Sequence, residues 1–236
     1  MEEAIHTAVE DGHSENTWRL WQASTHAVIL GTGQESAKEA CLQAAADEGV
    51  PVLRRHSGGG AVLIGPGAIN YSAFYAIEDL PGAETIQGAM SAVLRPVNAL
   101  LKSWGLAVFE AGLSDLVIRG CDGTLRKIAG NSQARKKRSI VVHGTILADP
   151  DWERLGRLLR FPSRVPDYRS GRDHRSFLTS LRENEVPYDL PRFAEGLRTV
   201  FDGPGNFAAQ PSPDEQSRAG NLLKEKYANP AWNFRR

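Results

Sequence analysis

The segment Arg54-Arg55-His56-Ser57-Gly58-Gly59-Gly60-Ala61-Val62 constrains this chain more than any other. Three successive glycines held in regular structure each cost roughly 0.5–1 kcal/mol relative to alanine. They lie between two apolar runs, residues 50–54 and 61–64, that read as strands. A folded chain that keeps them there needs positive φ or close backbone approach at that point. Backbone N–H groups bared by such a loop can cradle a phosphate, and the fork of donors on Arg55 can grip one. A glycine-rich hairpin without any ligand fits the same pattern.

The elements around the loop define the fold class. Glu2–Glu10 reads as a helix, and residues 17–22 and 26–30 as strands. Residues 36–48 form an amphipathic helix with Ser36 as N-cap and Gly49 as its stop. Ala68–Ala76 alternates as a strand. Residues 85–105 give the longest helical pattern, which Pro96 is expected to kink or split. Four strands follow at 106–109, 113–119, 127–133 and 140–147, the middle two joined through the hairpin signal Gly120-Cys121-Asp122-Gly123. Beyond Asp149 the chain turns polar and helical. Neighbouring strands with helices before and after them point to an α+β fold, a mixed β-sheet with flanking helices, rather than a doubly wound sheet.

Charge and composition exclude several classes. With 28 basic and 28 acidic residues the net charge is zero, so no global attraction to nucleic acid or to anionic membrane is indicated. No run approaches the ~18–20 apolar residues of a membrane span. The start, Met-Glu-Glu-Ala-Ile, lacks the basic flank and apolar run of a signal peptide, which predicts a cytoplasmic protein. Two cysteines, Cys41 and Cys121, with no Cys-x-x-Cys and no His-Glu-x-x-His, give neither a disulfide framework nor a zinc site, and no metal ligands can be named.

Two further constellations carry candidate chemistry. In Arg126-Lys127-Ile128-Ala129-Gly130-Asn131-Ser132-Gln133, a lysine precedes a stretch of small residues and can reach a ligand with little steric competition. Its compact ammonium suits bridging a carboxyl and a phosphate oxygen. In Val142-His143-Gly144-Thr145-Ile146-Leu147, an imidazole and a hydroxyl can line a pocket. Alone, such a lysine is more often solvated and such a histidine more often satisfied in a core.

In this order the motifs resemble the lipoate–protein ligase A and octanoyltransferase family, relatives of biotin–protein ligase. The arginine pair and triple glycine match Arg54–Val62, followed by Gly65-Pro66-Gly67-Ala68-Ile69-Asn70-Tyr71-Ser72. Ser114-Asp115-Leu116-Val117, the lysine motif from Lys127, the His-Gly-Thr strand and the ending Lys226-Tyr227-Ala228-Asn229-Pro230-Ala231-Trp232-Asn233-Phe234 match in turn. The resemblance implies one catalytic domain over residues 1–236, a tunnel for an acyl tail, and ATP-dependent activation of lipoate or octanoate before transfer to a lysine of a lipoyl carrier domain. Magnesium is inferred only from the nucleotide chemistry.

By the same resemblance Arg55 and the backbone of Ser57, Gly58, Gly59, Gly60, Ala61, Val62 and Leu63 hold the adenylate. Lys127 contacts both the acyl oxygen and the phosphate. Asn70, Asp115, Gly130, His143 and Thr145 belong to the same site, and Gly144 lets the backbone approach. The chain departs from the family in having Ile64-Gly65 where many ligases have His-Asp, and Ser114 where many have Asn. It leaves no room after Arg236 for the ligases' small accessory domain, which implies a separate accessory protein for the first step.

Octanoyltransferases of this family work without ATP through a cysteine thioester. Neither branch's cysteine position is filled here: none follows Cys121, and residues 105–112 contain none. Outside the family, Gly31-Thr32-Gly33-Gln34-Glu35-Ser36 after a strand is a degenerate NADP-type Rossmann fingerprint. A non-catalytic lipoyl-binding subunit is a further alternative, which Lys127 argues against. The run Arg135-Lys136-Lys137-Arg138 reads as a solvated turn able to dock an acidic carrier.

Overall fold

The computed structural model describes residues 1–200 and 210–235. In chain order the strands are β1 (Thr17–Trp21), β2 (Ala27–Leu30), β3 (Val52–Arg54), β4 (Val62–Ile64), β5 (Ala68–Ala76), β6 (Val108–Ala111), β7 (Asp115–Arg119), β8 (Leu125–Arg135) and β9 (Ser139–Leu147). The helices are α1 (Glu2–Glu10), α2 (Ser36–Glu39), α3 (Leu42–Asp47), α4 (Ile86–Ser103), α5 (Trp152–Leu158), α6 (His174–Phe177), α7 (Leu190–Val200), α8 (Pro213–Leu222) and α9 (Pro230–Asn233). Residues 201–209 of the polar stretch lie outside the described residues.

The α+β expectation holds, divided between two sheets. Six strands in the order β1-β5-β9-β8-β7-β6 pair antiparallel throughout, while β3-β2-β4 form a smaller mixed sheet. Period-2 alternation sorts the two faces of the large sheet. On β5, Ile69, Tyr71 and Ala73 join the main core, and on β9 Ile140, Val142 and Ile146 do the same. Asn70 and Ser72 on β5, with His143 and Thr145 on β9, therefore face the other way. At one end of that second face Phe74 and Val141 are covered by Ile5 and Val9 of α1.

α4 closes the core with Ala89, Met90, Val93, Leu94, Val97, Leu100 and Leu101. Of the expected kink or split at Pro96, the split does not occur, since one helix runs through it. Pro96 costs about 3 kcal/mol in a helix interior. Each leucine or valine buried on that face contributes roughly 1.5–3 kcal/mol, so the face outweighs one missing bond.

The expected helix over 36–48 is in fact broken. Ala40 is extended and bridges Leu159, Cys41 N–H donates to the Leu158 carbonyl at 2.9 Å, and Arg160 N–H to that of Glu39 at 2.9 Å. Pairing with the segment after α5 wins over local helix propensity. Ser36 is buried and is not the N-cap, whereas Gly49 has φ +64° and ends α3 as expected. The parallel β2–β3 pair is the one Rossmann-like feature. Gly31 answers to packing instead: a Cβ there would lie 2.2 Å from the Gly59 carbonyl oxygen.

Arg54 and Arg55 have separate duties. Arg54 is buried and donates to the carbonyls of Gly31 and Gln34, and to that of Asn233 in α9. Its own carbonyl accepts from the Trp232 indole at 2.8 Å. The family-like ending is thus a clamp on β3. Nearby, Lys226 holds Glu3 of α1 at 2.7 Å. The basic run at 135–138 is a largely exposed turn, as expected, in which Arg135 also donates to the Ala83 carbonyl, Lys136 to Thr7 and Arg138 to the Glu10 carbonyl.

Candidate active site

Register across the large sheet lines up the polar residues. Trp21 pairs with Asn70, Asn70 with Thr145, Thr145 with Gly130, and Gly130 with Asp115, a row across five strands on one face. Two residues along, Arg19, Ser72, His143 and Ser132 form a second row. Above them a cavity of about 1080 Å³ is bounded by the small sheet, the glycine loop and residues 159–169. Ile29, Leu63, Leu147, Leu155 and Leu178 give it apolar walls. Every residue expected at the site reaches this cavity except Ser57 and Gly58.

In the cavity wall, the Lys127 ammonium lies 2.7 Å from Asp115 Oδ1. A Cβ on Gly130 would sit 2.6 Å from Lys127 Nζ, so Gly130 makes the room in which the lysine crosses the sheet. Sequence reasoning missed Tyr168, whose hydroxyl donates to Asp115 Oδ2 at 2.6 Å. It lies in a short turn, Asp167–Arg169, with no periodicity to mark it.

The glycine loop is held from within. Arg55 donates to the carbonyls of Ile29 at 3.2 Å and Gly60 at 2.8 Å, to Gly58, and to Ser57 Oγ at 3.0 Å. Burial pushes its pKa down to about 10, which leaves it charged at neutral pH. Much of its donor capacity is spent on shaping the loop. Gly59 needs its φ of +83°, and Ser132 Oγ donates to the Gly58 carbonyl at 2.9 Å. Gly144 also has a reason different from ligand approach: a Cβ there would lie 1.9 Å from Asn131 Oδ1, which accepts from Tyr71. Thr145 donates to Asn70 Oδ1 at 2.8 Å.

A second polar cluster borders the loop. His143 Nε2 is 2.6 Å from Ser57 Oγ, and its Nδ1 is 3.6 Å from Glu2. Burial alone would raise the Glu2 carboxyl, but His143, Arg19 and Ser72 hold it down to about 2. Burial lowers His6 to about 4 and His56 to about 3. Both imidazoles stay neutral in the folded protein at pH values where the unfolded chain, near 6.5, takes up protons.

Their stabilising effect is therefore complete above pH 6.5 and is lost as pH falls toward 4 and 3. By pH 5 each is expected to remove up to about 2 kcal/mol, and His6→Leu should flatten that limb. Urea unfolding at pH 7 and 5 reads the effect; equal midpoints and slopes would contradict it.

Among the described residues no group of three or more His, Cys, Asp or Glu is placed to hold a metal ion. Cys121 is exposed in the β7–β8 hairpin, Cys41 is half-buried beside α5, and neither lines the cavity. No described helix is long and apolar enough to cross a membrane.

Comparison with known proteins shows the family and the fold. Residues 1–202 match the model of the lipoyl protein ligase A/B catalytic domain. An octanoyltransferase LipM of Geobacillus kaustophilus is 25% identical over 264 residues, covering 99% of this chain and 93% of its own. The lipoate-protein ligase LplJ of Bacillus subtilis is 25% identical over 94% of this chain and 66% of its own. Among solved structures, a bi-partite lipoate protein ligase of Thermoplasma acidophilum, studied with its E2 lipoyl domain, superposes with a TM-score of 0.80 at 23% identity, over 99% of this chain and 89% of its own.

Proposed function

The chain belongs to the lipoyl protein ligase A/B catalytic domain family, and on that premise we propose that it transfers a lipoyl or octanoyl group to a lysine of a lipoyl carrier domain. One observation carries the proposal: a lysine ammonium held by Asp115 in the wall of a cavity that the glycine loop and apolar side chains also line. The acyl tail occupies the apolar part, leaving its carbonyl beside Lys127. The carrier lysine, as a neutral amine, attacks that carbon. Negative charge grows on the carbonyl oxygen and on the leaving group, and the fixed Lys127 ammonium stabilises it. Collapse breaks the bond to the leaving group, which departs as a thiolate or phosphate anion, and the attacking nitrogen gives up its extra proton to solvent as the amide forms.

Two donors are compatible with this site, and different observations favour each. Transfer from an acyl-carrier thioester is supported by the octanoyltransferase relative, which aligns along nearly its whole length. Activation by ATP is supported by the absence of a thiol in the cavity wall, because a carboxylate activated as an adenylate needs no enzyme cysteine. The described residues build no metal cage, so magnesium is given no step.

Intact-mass measurement of a lipoyl domain separates the two. One reaction contains octanoate with ATP, the other an octanoyl-carrier thioester. Mass gain only with ATP makes the enzyme a ligase, and gain only with the thioester makes it a transferase. No gain in either, nor with preformed octanoyl-adenylate, sinks the proposal. The double substitution Cys41→Ser, Cys121→Ser is expected to keep nearly the original rate with the productive donor. Loss on Cys121→Ser alone, with a trapped acyl-thioester in the parent, would show that a cysteine carries the acyl group.

A further inference from the structure

Asp115 and Lys127 belong to motifs that the sequence displays, whereas Tyr168 belongs to none. Lys127 Nζ crosses above Gly130, where no side chain can steer it. Its direction is set by Asp115 Oδ1 at 2.7 Å. A carboxylate turns about a broad, roughly two-fold terminal torsion, so a single bond leaves its orientation loose. The second bond, from the Tyr168 hydroxyl to Oδ2 at 2.6 Å, removes that freedom.

Tyr168 is itself well fixed. Its ring packs against Phe177 with centroids 5.3 Å apart, and Gly112 of the β6–β7 turn lies against it. Arg172 Nη2 donates to its carbonyl at 2.8 Å, and the chain then turns through Ser170 and Gly171 at φ +50° and +73°. Burial, then the Asp115 charge, pushes the phenol far above its ordinary range, so it stays a neutral donor.

We propose that Tyr168 is a positioning residue for acyl transfer: it orients the Asp115 carboxylate and, through it, the Lys127 ammonium toward the reacting carbonyl. This rests on the acyl-transfer function proposed above. A neutral donor suits the task. It fixes the carboxylate without adding a cation that would compete with Lys127 for it.

The test uses the full chain carrying Tyr168→Phe, which keeps the ring and removes only the hydroxyl. Single-turnover acylation of a lipoyl domain at saturating donor is expected to slow by roughly 10-fold, the size of a lost hydrogen bond to a charged group. Octanoate affinity by calorimetry should stay at the parental value, and the Tm should fall by no more than the few degrees that one hydrogen bond is worth. Because Tyr168 acts through Asp115, adding Tyr168→Phe to Asp115→Asn should cause no further loss. A parental rate in Tyr168→Phe, or losses that multiply in the double variant, would overturn the proposal. A parent protein that acylates nothing with any of the three donors removes the function and this role together.

Discussion

Lys127→Ala is expected to slow acylation of a lipoyl domain by ~10²–10³, with the fold unchanged. Removing one fixed donor to developing charge typically costs that much in rate. The fold should survive because the Lys127 side chain is partly exposed and lines the cavity rather than the apolar core, and Asp115 keeps a second hydrogen-bond partner. Lys127→Arg is not a rescue, since a planar guanidinium is a poor substitute for a compact ammonium lying across Gly130. Single-turnover kinetics beside a thermal melt measure both halves. A near-normal rate would remove Lys127 from the chemistry.

The second large effect is expected from Gly31→Ala. The added methyl would lie 2.2 Å from the Gly59 carbonyl oxygen and 3.0 Å from that of Gly58. Both are backbone atoms, so no rotamer change relieves the contact. Either the glycine loop or the end of β2 must move. Overpacking of this kind costs about 1–3 kcal/mol. A displacement near 1 Å at a site can cost ~10² in rate. Gly33→Ala is the matched control, because nothing lies within 4 Å of its Cβ position. Equal denaturation midpoints and equal acylation rates for the two variants would refute the crowding.

Much of this molecule is legible in its residues because alternation sets the facing of strands. The period-2 pattern of Ala68–Ala76 and the motif on β9 place Asn70, His143 and Thr145 on one face. The break at Ala40 was not legible. Local propensity favours one helix over 36–48, and only the distant pairing with Leu159 ends it. Tyr168 was invisible for a related reason: its significance lies in a hydrogen bond to a residue 53 positions away. The two arginines illustrate the same limit. Adjacent in sequence and alike in chemistry, they divide into a clamp on the closing segment and a brace for the glycine loop.

The clamp also dictates an order of assembly. Arg54 and Asn233 are 179 positions apart, and the ordering cost of closing so long a loop must be met before the contact returns anything. During synthesis β3 and the glycine loop leave the ribosome long before Trp232 and Asn233. A nascent chain can therefore carry β3 while its clamp is still missing. The seat of β3 is thus completed only once the segment carrying Trp232 and Asn233 docks on it.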